Sequence, residues 1–240
     1  MTQRLAHGTE IMNPVLVPSG AYVDFDQNGS GRLPHNKKLR EAYMRNSADR
    51  KLLAVVYDDG IAADRMLSEL GYTLREKRVN VMGLVQRNTF IRDREKCDME
   101  LEELGSGEIF QLSQDRGKFA GGCRLDREAI ASAAALMEGR LREGCDLLIV
   151  NKFGRSEAEG CGLRDVIAQA VTQEIPTVVG VPRRNLEVWL KFAAGLFDLC
   201  DTANGEAMLS WIASRAGWDV ALRLRIARSL GRDETKPVFA

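Results

Sequence analysis

From residue 51 onward the chain alternates short β-rich apolar runs with amphipathic stretches, and this alternation limits the architecture of its 240 residues more than any other feature. KLLAVVY ends in the turn-like DDG, AADRMLSELGYTLREKR then carries Ala63, Leu67, Leu70 and Leu74 at helical spacing, and VNVMGLVQ follows as a second apolar run. Parallel neighbours need a long crossover, and strands covered on both faces read as continuous apolar runs, so this order predicts a βαβ unit. The pattern returns with REAIASAAALMEGRLREG as helix, CDLLIVNKF as strand, GLRDVIAQAVTQE as helix and IPTVVGVP as strand. LEVWLKFAAGL and EAMLSWIASRAG read as two further amphipathic segments, whereas residues 87–122 are less regular, with a charged stretch RDREKCDMELEEL and a strand in EIFQLSQ. The fold class predicted is α/β, a doubly wound and mostly parallel sheet with helices on both faces, in which ligands sit beyond the carboxyl ends of the strands.

The flanks differ from this body. Residues 1–50 are punctuated by Pro14, Pro18, Gly20, Gly29, Gly31 and Pro34 and predict an extended amino-terminal arm. Residues 51–216 form the α/β domain, and residues 217–240 a carboxyl-terminal helix and tail whose mixed apolar periodicity favours packing on the domain over membrane-surface binding. Thirty-four Lys and Arg balance thirty-four Asp and Glu, which gives no support to a nucleic-acid coat or a polybasic anchor. The chain shows no run of eighteen apolar residues and no apolar signal core, so a cytoplasmic protein without stable membrane insertion is expected. Its five cysteines are widely spaced without a CxxC pair, which disfavours a disulfide scaffold and a four-cysteine zinc site. His7 and His35 both lie in the arm, leaving little support for Cys-His or Ser-His-Asp chemistry.

Three strand ends carry residues suited to a site. The first is Tyr57-Asp58-Asp59-Gly60, opening a helix through Ala62, Ala63 and Asp64. Amides at a helix start receive anions, with Gly60 in that turn, and Asp58 and Asp59 can hold a metal that bridges to phosphate. A turn followed by a helix N-cap explains the same two acids equally well. The phosphate-loop pattern GxxxxGK[ST] is missing here. The second strand end is Asn151-Lys152-Phe153-Gly154-Arg155, continuing through Glu157 and Glu159 to Gly160 and Gly162. Asn151, Lys152 and Arg155 suit an anion, while Glu157 and Glu159 suit water activation or a metal; a structural ion-pair network is the alternative. The third is Gly121-Gly122-Cys123-Arg124 before the N-cap candidate Asp126, where Arg124 can join an anion-binding turn. Gln86, Arg87, Arg183 and Arg184 also follow strands and can converge with Lys152. Trp189, at helical spacing with Phe192 and Ala193, reads as core.

Residues 51 to about 212 resemble an uncharacterised bacterial family described as nucleoside-triphosphatase-like and associated with molybdate transport or nitrogen fixation. The pieces that carry the resemblance are AVVYDDG, GLVQR, CDMELEELGSG, LSQDRG, GCRLD, DLLIVNKFGRSEAEGCGLRD and IPTVVGVP. That family is in turn distantly similar to the thermophilic nucleoside-triphosphatase group of P-loop proteins. The resemblance implies a P-loop-like fold with a degenerate phosphate loop, because the stretch Tyr57 to Asp64 lacks the loop's lysine and its Ser/Thr hydroxyl, and Asn151 and Lys152 stand where that group carries an Asp-Glu pair. It implies binding of a nucleotide, or of a small oxyanion such as phosphate or molybdate, in molybdenum handling.

The expectation is that Gly60, Gln86, Arg124, Asn151, Lys152 and Arg155 contact the ligand. Glu157 and Lys152 would serve any chemistry, with Asp58, Asp59 and Glu159 holding Mg2+. A magnesium-dependent nucleoside triphosphatase and a noncatalytic interaction protein for a transporter or metallocofactor system are the two rival readings.

Overall fold

The computed structural model describes residues 15–16, 22–25, 31–32, 50–89, 98–112, 126–201 and 205–231. Within the expected arm, β1 (Val15–Leu16), β2 (Tyr22–Phe25) and β3 (Gly31–Arg32) pair antiparallel in a three-stranded sheet, so this region holds strand structure of its own.

The body begins with β4 (Leu52–Tyr57), six apolar residues that are all buried. Leu52, Ala54 and Val56 point into one apolar core and Leu53 and Val55 into another, the period-two alternation of a strand covered on both faces. Helix α1 (Gly60–Glu76) follows, with Leu67, Leu70 and Leu74 fully buried along one stripe, and leads to β5 (Val81–Thr89). The chain then adds β6 (Asp98–Glu103) and β7 (Ile109–Gln111), α2 (Arg127–Leu141), β8 (Leu147–Val150), a four-residue α3 (Arg155–Ala158) and α4 (Arg164–Thr172). It ends with β9 (Thr177–Pro182), α5 (Leu186–Ala193), β10 (Phe197–Asp201), α6 (Gly205–Arg215) and α7 (Val220–Gly231).

These seven strands lie in the order β10-β4-β9-β8-β5-β6-β7. The first five are parallel, and β6 and β7 continue the sheet antiparallel beyond β5. Helices α2, α4 and α5 pack on one face through Met137, Ile167 and Trp189, and helices α1, α6 and α7 on the other through Leu70, Ile212 and Ile226. The chain therefore leaves β4 over one face and leaves its neighbour β9 over the other, which makes the carboxyl ends of this pair a topological switch point. This is a mixed α/β fold, P-loop-nucleoside-triphosphatase-like in its general plan.

Two strands escape a reading by apolar periodicity. FDLCD is β10, an edge strand with one neighbour, so it needs no continuous apolar run. DMELEE is β6, and its charges are accommodated by arginines: Glu102 accepts from Arg75 and Arg87, and Glu103, fully buried, is paired with Arg140. The segment from 217 onward contributes α7, whose Ile226 is fully buried in the second core, so this helix packs as part of the body.

Candidate functional site

Strand β8 ends in a polar pair held from three sides. Asn151, 2% exposed, donates from Nδ2 to Oδ1 of Asp64 at 3.0 Å. Lys152 donates from Nζ to Oε1 of Gln86 at 2.9 Å and lies 3.5 Å from the same Asp64 oxygen. Asp64 comes from the first two turns of α1, on the buried stripe that continues through Leu67, Gly71 and Leu74. Gly180 of β9 makes room for the strand end: a Cβ there would stand 2.2 Å from the Asn151 carbonyl oxygen.

Burial pushes the Asp64 carboxyl above the usual aspartate range, against the opposing charge of Lys152 and the hydrogen bonds from Asn151 and Lys152. Tyr57, at the end of β4, is also buried, and its phenol is pushed well above its ordinary range by burial first and by the charge of Asp64 second. Among the described residues its hydroxyl, the Oδ1 of Asn151 and the Nε1 of Trp189 are buried without a hydrogen-bond partner.

Lys152, Asn151 and Gln86 line a pocket of about 210 Å³ where β5 runs on past the end of β8, beside the loop that opens α3; Gln86, expected to follow a strand, lies within β5. Much of the remaining wall is apolar, from Leu84, Leu101, Ile130 and Leu163 among others. Three of the expected ligand residues thus meet at one place, and Arg155 lies at the same pocket. Arg155 is turned to Glu159, at 2.7 Å, and both side chains are largely exposed. Arg124 and Cys123 lie outside the described residues.

The remaining expected residues have partners of their own. Asp59 is the N-cap of α1, accepting from the amides of Ile61 and Ala62 at 2.9 and 3.2 Å. Those are donors that a bound phosphate would use, so the helix start beside Gly60 is occupied by its own carboxylate. Asp58 pairs with Arg183 at 2.8 Å across the β4–β9 switch point. Glu157, 6% exposed, accepts from the Gly154 amide at 2.8 Å and the Leu163 amide at 3.0 Å, tying together the two ends of the loop around α3. Gly162 permits this, since a Cβ there would stand 2.2 Å from Glu157 Oε1. Glu159 bonds Arg155 and Arg127, and the Arg155 hydrogen bond holds its carboxyl below the ordinary glutamate range. Arg87 turns to Glu102 on β6, so it does not converge with Lys152.

Asp58, Asp59 and Glu159 do not fit a shared Mg2+ site: each carboxylate is engaged elsewhere, and among the described residues no group of three or more His, Cys, Asp or Glu side chains comes together. The internal acid beside Lys152 is Asp64 on α1, and neither Glu157 nor Glu159 pairs with it. The sequence did carry a signal for Asp64, a charged residue in register with the leucines of a buried helical stripe. Among the described residues no helix is long and apolar enough to cross a membrane.

One relative, the molybdenum import ATP-binding protein ModC 2 of Bradyrhizobium diazoefficiens, is 30% identical over 169 residues, 69% of this chain. The matched part spans 19% of that protein's length. No solved structure matches the chain. The family described as "Protein of unknown function (DUF2478)" matches residues 52–211, more than half of the chain and all of the strands and loops that build the pocket, and the protein belongs to it.

Proposed function

We propose that the protein binds a small anionic ligand, a nucleotide or an oxyanion, in the pocket where β5 runs on past the end of β8, as a component of molybdenum handling. The observation that carries the reading is the cation at the end of β8, Lys152, set between Gln86 and Asp64 at the rim of the pocket with its side chain 31% exposed. A lysine at the end of a buried strand, kept partly accessible and oriented by an amide oxygen, is poised to receive an anion. The place in molybdenum handling is supported by the relative's name and by the similarity over most of this chain.

The site favours a mode of binding different from a phosphate loop. Asp59 caps the helix start after β4, and Asp58 with Arg183 bridges the crevice beside it, so the ligand's charge meets Lys152 on the neighbouring β8 edge. The proposal assigns binding and no turnover, because the Glu157 carboxylate is committed to two backbone amides.

Asp64 sets the terms of binding. While ionised it competes with the ligand for Lys152; when protonated it releases that charge. An arriving anion raises the carboxyl further from the ordinary range, so binding draws a proton onto Asp64. Titration with phosphate, molybdate and ATP tests the reading. Lys152→Met is expected to weaken whichever anion binds by roughly thirtyfold, the equivalent of about 2 kcal/mol for a desolvated charge-assisted contact. Unchanged intrinsic affinity in a folded Lys152→Met protein would remove Lys152 from the site.

A further inference from the structure

The pocket beside the end of β8 offers little to a bare oxyanion. Among the described residues two cations line it, Lys152 and Arg155. The Arg155 guanidinium is paired with Glu159 and largely exposed, so its charge is balanced before a ligand arrives. Lys152 brings one positive charge, with Asp64 3.5 Å away. Even with Asp64 protonated, this end of the pocket compensates one negative charge and leaves the second charge of a dianion unpaired beside apolar wall. The loop around α3 withholds its donors as well, because the amides of Gly154 and Leu163 are held by the Glu157 carboxylate. Molybdate and doubly ionised phosphate, each with four oxygens to satisfy, therefore lack both charge and donors here.

The rest of the pocket has the opposite character. Leu84 of β5, Met99 and Leu101 of β6 and Ile130 of α2 line it together with Leu112 and Leu163. The alternation of DMELEE explains two of these residues: Glu102 turns to Tyr72 and Arg75 on α1, so Met99 and Leu101, of opposite parity on the strand, face the other side of the sheet. Leucine, isoleucine and methionine side chains pack well on an aromatic face through dispersion and sulfur contacts. A cavity of roughly 150 Å³ with walls of this kind takes up benzene from water. At about 210 Å³ the pocket seats one such ring with a short link.

We infer that the pocket takes an amphipathic monoanion, one aromatic ring bearing a carboxylate directly or through a short link, with the ring against Met99, Leu101 and Ile130 and the carboxylate at the Lys152 ammonium. The inference rests on the proposed role of Lys152 as receptor of the ligand's charge, and it names what that charge is attached to.

Titration of the full chain followed by protein NMR tests it with benzoate, phenylacetate, the amides of both, acetate, inorganic phosphate, molybdate and AMP. The amides keep the ring and lose the charge, whereas acetate keeps the charge and loses the ring. The tighter of the two aryl acids is expected to bind about tenfold or more tightly than its amide and than acetate. Lys152→Met is expected to bring that acid down to the level of its amide. Ile130→Trp, which fills the pocket from α2, is expected to bring it down to the level of acetate while urea unfolding stays cooperative. Should either variant fail to fold, the contrast between probes on the unaltered protein still decides. Phosphate, molybdate or AMP binding more tightly than both aryl acids would overturn the inference and leave the proposed oxyanion or nucleotide site standing. An aryl acid that binds no more tightly than its amide, or than acetate, would overturn the inference too. Silence from every probe would overturn both readings.

Discussion

Asp64 concentrates the electrostatic conflict of the sheet edge. It is buried at 7% exposure, accepts from Asn151 and stands 3.5 Å from Lys152, yet burial outweighs both and its carboxyl sits above the ordinary range. A carboxyl that holds its proton more tightly in the folded chain than in the unfolded one contributes stability fully below the unfolded pKa. That contribution is lost as pH rises through the folded pKa. The stability of the protein relative to Asp64→Asn is therefore expected to fall as pH rises above the ordinary aspartate pKa of about 4, and urea unfolding of the two over a pH series checks it; a flat difference would contradict the assignment. The thiols offer a second test at this scale. Burial pushes the Cys145 thiol up to about 11, while Cys161 is exposed. At neutral pH that shift leaves Cys145 roughly a hundredfold less thiolate than an ordinary thiol. Cys161 is expected to label far faster than Cys145, as mass spectrometry after timed alkylation would show.

At the scale of elements, the site depends on short devices that place strand ends. The cap of α1 is the clearest. Asp59→Ala removes the acceptor of two amides and is expected to cost about 1 kcal/mol, measured by urea unfolding, without weakening anion binding. Loss of binding in that variant would instead give Asp59 a direct role. Gly180 is the second device. Its position on β9, with a hypothetical Cβ 2.2 Å from the Asn151 carbonyl, lets β8 and β9 lie at full sheet spacing where the polar pair begins. Gly180→Ala is expected to cost about 3 kcal/mol and to reduce ligand affinity as well, since parting these strands moves Asn151 and Lys152. A stability loss without any affinity loss would show that the strand end moves independently of the site.

For the whole molecule, Arg50 ties the entry of β4 to distant parts of the body. Its guanidinium bonds the Phe197 carbonyl and Asp198 of β10, and its own carbonyl accepts from Arg215 at the end of α6. One residue thus pins the entry of the body to the edge strand and to the last turn of a helix. Removing residues 1–45 is expected to leave cooperative unfolding intact, whereas removal through Arg50 costs about 3 kcal/mol by leaving Asp198 without its closest cation. At the other end, truncation after residue 219 removes Ile226 from the second core and is expected to lower the melting temperature markedly, because α1 and α6 lose the helix that packs against both. Calorimetry of the three truncations separates these outcomes.

The sequence alone determined the architecture wherever burial on two faces demanded continuous apolar runs: LLAVVY, LLIV and TVVGVP are strands, and the helical stripe of Leu67, Leu70 and Leu74 is the buried side of α1. It also placed Asn151 and Lys152 at a strand end, because the end of an apolar run is visible in one dimension, whereas Gln86, expected to close a strand, lies inside β5, which runs on to Thr89 along β6. Neither β6 nor β10 was visible in this way: glutamates buried against arginines from α1, α2 and β5 look like a solvated charge run, and an edge strand needs apolar cover on fewer sides. Tertiary structure alone decided which acid faces which base. Asp64 and Asn151 are 87 residues apart in sequence, and only the order of strands around the switch point brings α1 against the end of β8. Glu157 and Glu159, close to Lys152 in sequence, turn elsewhere in the fold: buried Glu157 accepts from the loop amides, and exposed Glu159 pairs with Arg155 and Arg127.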